Sequence, residues 1–306
     1  MTPGKLSLGP LLYNWPAEKA RDFYLRVADE MDVDRVFIGE VVCSKRQPFH
    51  AEYIPEVVER LQSAGKQVIF STLALVMNQR EIKGLKTIFA DTGDFLLEIN
   101  DITLLSACGG KPFAVGPYVN IYNEDTLRFF VENGASIVTL PFELSRGILK
   151  ILASTANLEL EVQVFGRLPL AISARCYHAR AHNLHKDNCQ FVCDKNPDGL
   201  DINTIDGQKF LAVNGTQTQS YTYTNLLQEI PDLQSIGIRN FRLSPHTTDM
   251  VAIAEIFRGV QLGKLATDDG LSKMKNILKG VEFSNGFYYS STGRQLMLKT
   301  AESITG

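Results

Sequence analysis

Short β-branched runs alternate with amphipathic stretches over the first half of this 306-residue chain, and that rhythm limits the fold more than any other feature. Strands are expected at Leu6–Gly9, Arg35–Gly39, Gln67–Ser71, Asp94–Ile99, Phe113–Val115, Ser136–Thr139 and Leu158–Phe165. Between them lie helix-period stretches from Pro16 to Met31, Ala51–Ala64, Gln79–Ala90, Glu124–Asn133 and Leu144–Ser154. Pro16 suits an early helical position because its missing N–H has no partner there. Ala64-Gly65 and Asn133-Gly134 are good helix stops. Strands joined by helical crossovers pair in parallel. An eighth strand, Ser235–Leu243, followed by a helix over Thr247–Leu262, completes an α/β, (β/α)8 TIM-barrel-like pattern. A doubly wound sheet is the main competitor, and no Gly-rich dinucleotide fingerprint follows the first strand to favour it.

The alternation stops between residues 167 and 234, which reads as a Cys-rich insertion before the last barrel strand. Within it Lys209–Val213 and Gln219–Tyr223 flank Asn214-Gly215 and are expected to pair as a hairpin. The segment 267–306 reads as a C-terminal extension with a short helix and a strand-like Gly286–Ser291. The whole chain, 1–306, is expected to form a single barrel-like domain.

Composition narrows the function classes. Charged residues are 21% and the net charge is −3, so there is no basic footprint for duplex nucleic acid. The first dozen residues resemble no leader, and no apolar run reaches the roughly 20 residues of a spanning helix. A cytoplasmic location is expected. In a reducing compartment, five cysteines are buried hydrophobes, nucleophiles or metal ligands rather than lasting disulfides.

Cys176, Cys189 and Cys193 are spaced C-x12-C-x3-C, and Cys43 stands far upstream, just past the second strand. Barrel geometry carries the ends of strands two and seven to one rim, so all four thiols are expected to meet there. Lys45, Arg46, Arg175 and Arg180 are expected to lower thiolate pKa values and offset negative charge. The chemistry alone leaves an iron–sulfur cluster, a structural zinc and unrelated buried cysteines all open. Cys108 reads as a buried small hydrophobe. His178, His182 and His185 read as a polar helix edge beside the thiols.

The blocks Leu8-Gly-Pro-Leu-Leu-Tyr-Asn-Trp, Ile38-Gly-Glu-Val-Val-Cys-Ser-Lys-Arg and Glu161-Val-Gln-Val-Phe-Gly-Arg-Leu-Pro-Leu-Ala through Arg175-Cys carry a resemblance. The chain resembles the collagenase-like peptidase family U32, and within it the members serving ubiquinone biosynthesis. The resemblance implies a [4Fe-4S] cluster held by Cys43, Cys176, Cys189 and Cys193. It also implies a heterodimer with the paralogue UbiU, a lipid-binding accessory protein of the UbiT type, and O2-independent hydroxylation of the ubiquinone precursor ring with prephenate as oxygen donor. Peptidase-type members carry a His-Gly-Ala-like block where this chain has Phe165-Gly166-Arg167, so peptidase activity is not expected. Two other readings stay open: an RNA-hydroxylating relative, and a cluster-bearing structural subunit without its own catalysis.

Catalytic residues are not identified. Glu40, Glu98, Asn100, Asn120, Asn123 and Glu143 are polar candidates at strand ends, with Glu40 and Glu98 a pair for acid/base or orienting work. Arg167 and Arg242 are candidate clamps for a dicarboxylate.

Overall fold

A short strand buried on both faces needs helices on one side and other strands' side chains on the other, which a closed parallel barrel supplies. The computed structural model describes residues 4–91, 93–155 and 157–297. Its strands are β1 (Leu6–Leu8), β2 (Arg35–Ile38), β3 (Gln67–Ser71), β4 (Leu96–Ile99), β5 (Phe113–Val115), β6 (Ala135–Thr139), β7 (Glu159–Ile172), β8 (Leu200–Asn203), β9 (Lys209–Asn214), β10 (Gln217–Asn225), β11 (Asn240–Leu243) and β12 (Phe283–Ser284). The helices are α1 (Ala17–Glu30), α2 (Gln47–His50), α3 (Ile54–Ser63), α4 (Gln79–Asp91), α5 (Glu124–Glu132), α6 (Arg146–Thr155), α7 (Tyr177–Ala181), α8 (Ile230–Ser235), α9 (Met250–Gln261) and α10 (Thr267–Ile277). Strands β1 to β7 pair in sequence, all parallel, and β11 lies parallel to both β7 and β1. The sheet closes on itself: this is a (β/α)8 barrel. Among the described residues no helix is long and apolar enough to cross a membrane.

Alternation along each strand sends one set of side chains outward and one inward. Leu6, Leu8, Val36 and Ile38 join the main core with Val27, Leu61 and Phe257 from the helices. The other set begins with a small cluster of Phe37, Ile69, Ala114 and Ile137. Beside it lies a polar layer. Arg242 pairs with Glu98 at 2.7 Å and Glu161 at 2.6 Å, and its guanidinium carbon stands 3.8 Å from the centre of the Phe37 ring. Ser71 donates to Glu98, and Thr139 donates to Glu161 at 2.9 Å. Side chains from β2, β3, β4, β6, β7 and β11 can meet only inside the barrel.

Four boundaries differ from the sequence expectation, each for a local reason. The helix expected over Ala51–Ala64 starts late: residues 51–53 form a turn after α2, and α3 starts at Ile54, where Pro55 occupies the first turn. The seventh strand does not stop at Phe165 but runs to Ile172. Gly166 takes φ +107°, with register irregularities, as the strand changes partner from β11 to an antiparallel pairing with β10. The insertion therefore begins inside a barrel strand. Ser235 closes α8 and strand β11 starts only at Asn240, while Gly286–Ser291 is turn and β12 lies just before it. The expected hairpin is β9 and β10, joined by Gly215-Thr216, with β8 added outside β9. The last part of the expected extension, 298–306, lies outside the described residues.

Asp232 joins α6, α8 and the C-terminal segment by accepting from Arg146 at 2.6 and 2.8 Å and from the Tyr288 hydroxyl at 2.6 Å. The Arg146 contact holds its carboxyl below the usual range. A depressed carboxylate stabilises the fold above its unfolded pKa, near 3.9, and that contribution is lost as pH falls through the lower folded value. Asp232→Asn should cost about 1 kcal/mol at pH 7. Urea denaturation should find the gap between variant and wild type narrowing as pH falls below about 3.9.

Candidate metal centre

Three segments meet at the C-terminal rim of the barrel. The loop after β2 carries Cys43, the turn after β7 carries Cys176, and the irregular stretch beyond α7 carries Cys189 and Cys193. All four cysteines are unpaired, and all line one small cavity together with Lys45, Arg46, His178, Lys186 and Gly215. Cys108, by contrast, is buried in the main apolar core with its thiol donating to the Leu104 carbonyl.

Local structure explains why each thiol turns inward. Glu40 Oε1 accepts the backbone N–H groups of Val42 and Cys43 at 2.8 and 2.9 Å, tightening the loop so that it doubles back. Cys176 caps α7, its sulfur accepting from the Ala179 N–H at 3.4 Å. Between Cys189 and Cys193 the backbone adopts left-handed conformations at Gln190 and Phe191, φ 49° and 53°. Two consecutive non-glycine residues there cost on the order of 1 kcal/mol each. Phe191 offsets part of this by meeting the Phe49 ring edge-on, with centroids 4.7 Å apart.

The separate segments are tied by two cations. Lys45 donates to the Lys186 carbonyl at 2.6 Å, fastening the Cys43 loop to the stretch before Cys189. Arg46 is 1% exposed and donates to the Leu12 carbonyl at 2.8 Å and to Asn214 Oδ1 at 2.9 Å. Thr216 donates to the Val42 carbonyl at 2.9 Å, so the β9–β10 turn sits directly on the Cys43 loop. No carboxylate among the described residues lies within ion-pair distance of Arg46. Burial works against its charge, and Glu40 and the Cys193 and Cys43 thiols sustain it.

The electrostatics differ from the sequence expectation. Arg175 and Arg180 do not line the cavity; Arg46, Lys45 and Lys186 do. Burial pushes the Cys43 and Cys176 thiols up despite Arg46, so desolvation outweighs the cations that were expected to depress them. His178 is not a polar edge. It is buried on the cavity wall, with Nε2 2.9 Å from Asn196 Oδ1, and burial pushes its pKa down. Helix α7 ends before His182, whose ring stacks on His178, and His185 lies beyond it.

The other polar candidates are occupied structurally. Glu98, Asn100 and Arg242 belong to the barrel interior, so Arg242 is no free clamp. Arg167 donates to the Ser220 and Tyr221 carbonyls and pairs with Asp201. Asn123 caps α5, Glu143 accepts from the Tyr122 hydroxyl, and Asn120 is exposed. Glu40 uses Oε1 for the two loop N–H groups and lines an apolar cleft. Sequence reasoning missed His246, whose Nδ1 faces Asp198 at 3.3 Å. The pair resembles a catalytic dyad, but Nε2 already accepts the Arg167 N–H at 3.1 Å, leaving no base nitrogen for a nucleophile.

Among the described residues no group of three or more His, Cys, Asp or Glu side chains is placed to hold a single metal ion. Four thiols with Arg46, Lys45 and Lys186 around one cavity are the donor types and charges that an iron–sulfur cluster would use.

A parallel (β/α)8 barrel gathering four thiols on its C-terminal rim is the class that fold and site define. Residues 18–297 match the profile of Peptidase family U32. The chain belongs to that family. Distant structural likenesses include tryptophan synthase from M. tuberculosis (10% identity, 89% of this chain and 92% of that one, TM-score 0.41). Tryptophan synthase subunit alpha from Campylobacter jejuni gives 10% identity, 90% and 96% coverage and TM-score 0.39. β-Mannanase from the blue mussel Mytilus edulis gives 12%, 87%, 93% and 0.34. Likenesses this remote say nothing of activity, and the barrel rests on its own strand pairing.

Gly215 has φ +62°, and an added Cβ there would stand 2.6 Å from Arg46 Nη2. Gly207 has φ +82° with open space around it. Gly207→Ala should therefore cost about 1 kcal/mol from backbone strain alone. Gly215→Ala should cost at least about 1 kcal/mol more by displacing Arg46. Equilibrium unfolding of the two variants checks the difference.

Proposed function

We propose that this chain is the iron–sulfur subunit of an O2-independent hydroxylase acting on the ubiquinone precursor ring. In this reading it is a UbiV-type member of family U32, paired with a UbiU-type paralogue and served by a UbiT-type lipid-binding protein, with prephenate as oxygen donor. One observation carries the cluster assignment. A buried guanidinium, Arg46, has no carboxylate at ion-pair distance among the described residues and stands beside four unpaired thiols in one cavity. Burying a cation costs several kcal/mol, which Glu40 and the nearby thiols offset here. A thiolate-bound cluster of net negative charge would add to that support.

Cys43, Cys176, Cys189 and Cys193 would hold a [4Fe-4S] cluster, which supplies one-electron transfer when bound. Arg46, Lys45 and Lys186 offset its charge, and the Ala179 N–H donates to the Cys176 sulfur. Val192, Phe191 and Ala179 shield the cavity from water. The UbiV-type assignment draws on the Gly39-Glu-Val-Val-Cys-Ser-Lys-Arg block and the C-x12-C-x3-C spacing.

Anaerobically purified protein should be brown and carry about four irons per chain. Replacing any one of the four cysteines with alanine should lower that count, whereas Cys108→Ala should leave it unchanged. A colourless zinc protein overturns the assignment. Arg46→Gln should make the cluster harder to reduce, by roughly tens of millivolts, because a nearby positive charge favours the more negative reduced state. Quinone content of anaerobically grown deletion cells carrying the Cys→Ala chains tests the hydroxylase role. Normal content would leave the cluster dispensable.

A further inference from the structure

The surface around the thiol cavity carries an excess of one sign of charge. Residues 174–195 bear three of the four thiols, and the same stretch holds four cations, Arg175, Arg180, Lys186 and Lys195, against two anions, Asp187 and Asp194. Lys45, partly exposed on the Cys43 loop, adds a fifth cation 3.6 Å from Asp187. The chain as a whole has net charge −3, so this rim is positive against a negative remainder. Arg175, Arg180 and Lys195 are exposed, and none of them lines the cavity. Two aromatic rings are exposed beside these charges: Tyr177, next to Cys176, and Phe49, whose ring partner Phe191 lines the cavity. Cys43, Cys176 and Cys189 are only half-buried, so their sulfurs lie close beneath this surface.

We propose that this surface docks a small acidic flavin protein that carries single electrons. Like charges gathered around an opening raise the local concentration of an oppositely charged partner and speed its encounter. Transient electron-transfer contacts are small, so steering charge and a few exposed rings suffice. Cations that served only the thiols would line their cavity, as Arg46, Lys45 and Lys186 do. Arg175, Arg180 and Lys195 face outward instead and are left for a partner. Asp187 and Asp194 interrupt the cations, which favours a shaped protein over a nucleic-acid backbone that tracks a continuous basic groove. Docking rests on charge and placement alone. Its use rests on the cluster reading: the carrier is oxidised by one electron as the cluster is reduced by one, with no bond made or broken.

Calorimetric titration of the anaerobically purified full-length chain with oxidised flavodoxin, a small acidic flavin protein, tests the docking. Flavodoxin should bind at low salt and about 10-fold or more weakly at an ionic strength of roughly 0.3 M. The double variant Arg180→Glu with Lys195→Glu should weaken binding roughly 10-fold. It should slow bleaching of the visible band by reduced flavodoxin by a similar factor, with iron content and melting temperature at wild-type values. Lys273→Glu with Lys275→Glu, on the outer helix α10, makes the same change in net charge and should leave binding unaltered. Salt-independent binding, or equal losses in the two double variants, overturns the proposal. So does poly(U) that binds this surface more tightly than flavodoxin. The chain co-purified with a UbiU-type partner should still bind flavodoxin, and a partner that blocks it overturns the proposal. Iron-loaded protein that binds no flavodoxin refutes the docking and leaves the cluster reading intact. A chain that binds flavodoxin and never takes up iron refutes the cluster reading and leaves the docking standing.

Discussion

A cation buried without a carboxylate partner organises the rim of this barrel. Arg46 spans the end of the loop after β1, through the Leu12 carbonyl, and the β9–β10 turn, through Asn214. Asn214 also donates to the Leu12 carbonyl at 2.7 Å, closing a three-way lock. Without it, loops from opposite ends of the sequence would have only weak polar contacts to hold them in register. Desolvation of the guanidinium works against this lock, and Glu40 and the Cys193 and Cys43 thiols offset it. The site is therefore better built to receive negative charge than to stand alone.

The barrel interior follows the opposite rule. There Arg242 is matched by two carboxylates, Glu98 and Glu161, each further satisfied by hydroxyl donors. This pairing keeps these groups from chemistry, because the Arg242 guanidinium and both carboxylates already meet one another. The same logic disposes of Arg167, wedged between the Ser220 and Tyr221 carbonyls, and of His246, whose second nitrogen accepts a backbone N–H. Arg46 and Glu40 stand at the rim, each beside a cavity.

Period and spacing made the barrel legible, since eight strands and their crossover helices leave a local signature of alternation. The position of Cys43 past β2 and of Cys176 past β7 was likewise legible, because a parallel barrel sends all such ends one way. What the sequence concealed was long-range. The continuation of β7 to Ile172 depends on β10 being available as an antiparallel partner, and nothing near Phe165 announces that. Glu98 and Arg242 looked like rim groups because strand ends were placed correctly, but side-chain direction within a strand only becomes visible once the sheet closes. Arg175 and Arg180 sit beside Cys176 in sequence and not at its sulfur, whereas Lys186 and Gly215, remote in sequence, reach the cavity. Desolvation of the Cys43 and Cys176 thiols, which reverses their expected shift, is also a property of the assembled loops.

Backbone conformation at Gln190 and Phe191 bears on whether the rim is shaped by its own packing or by a guest. Left-handed non-glycine residues persist only where surroundings determine them more strongly than their intrinsic cost. The contact between Phe191 and Phe49 is one edge-on ring pair, and Phe49 is itself exposed. One such pair is worth roughly 0.5–1.5 kcal/mol, comparable with the strain of one residue and less than that of two. The Val192 N–H to the Cys189 carbonyl at 3.2 Å, the Asp194 N–H to the Phe191 carbonyl at 3.0 Å and the burial of Val192 and Cys193 contribute to the remaining balance. A segment held this way brings two sulfurs to the wall of the cavity that Arg46 also lines, a shape that suits the cluster proposed for it.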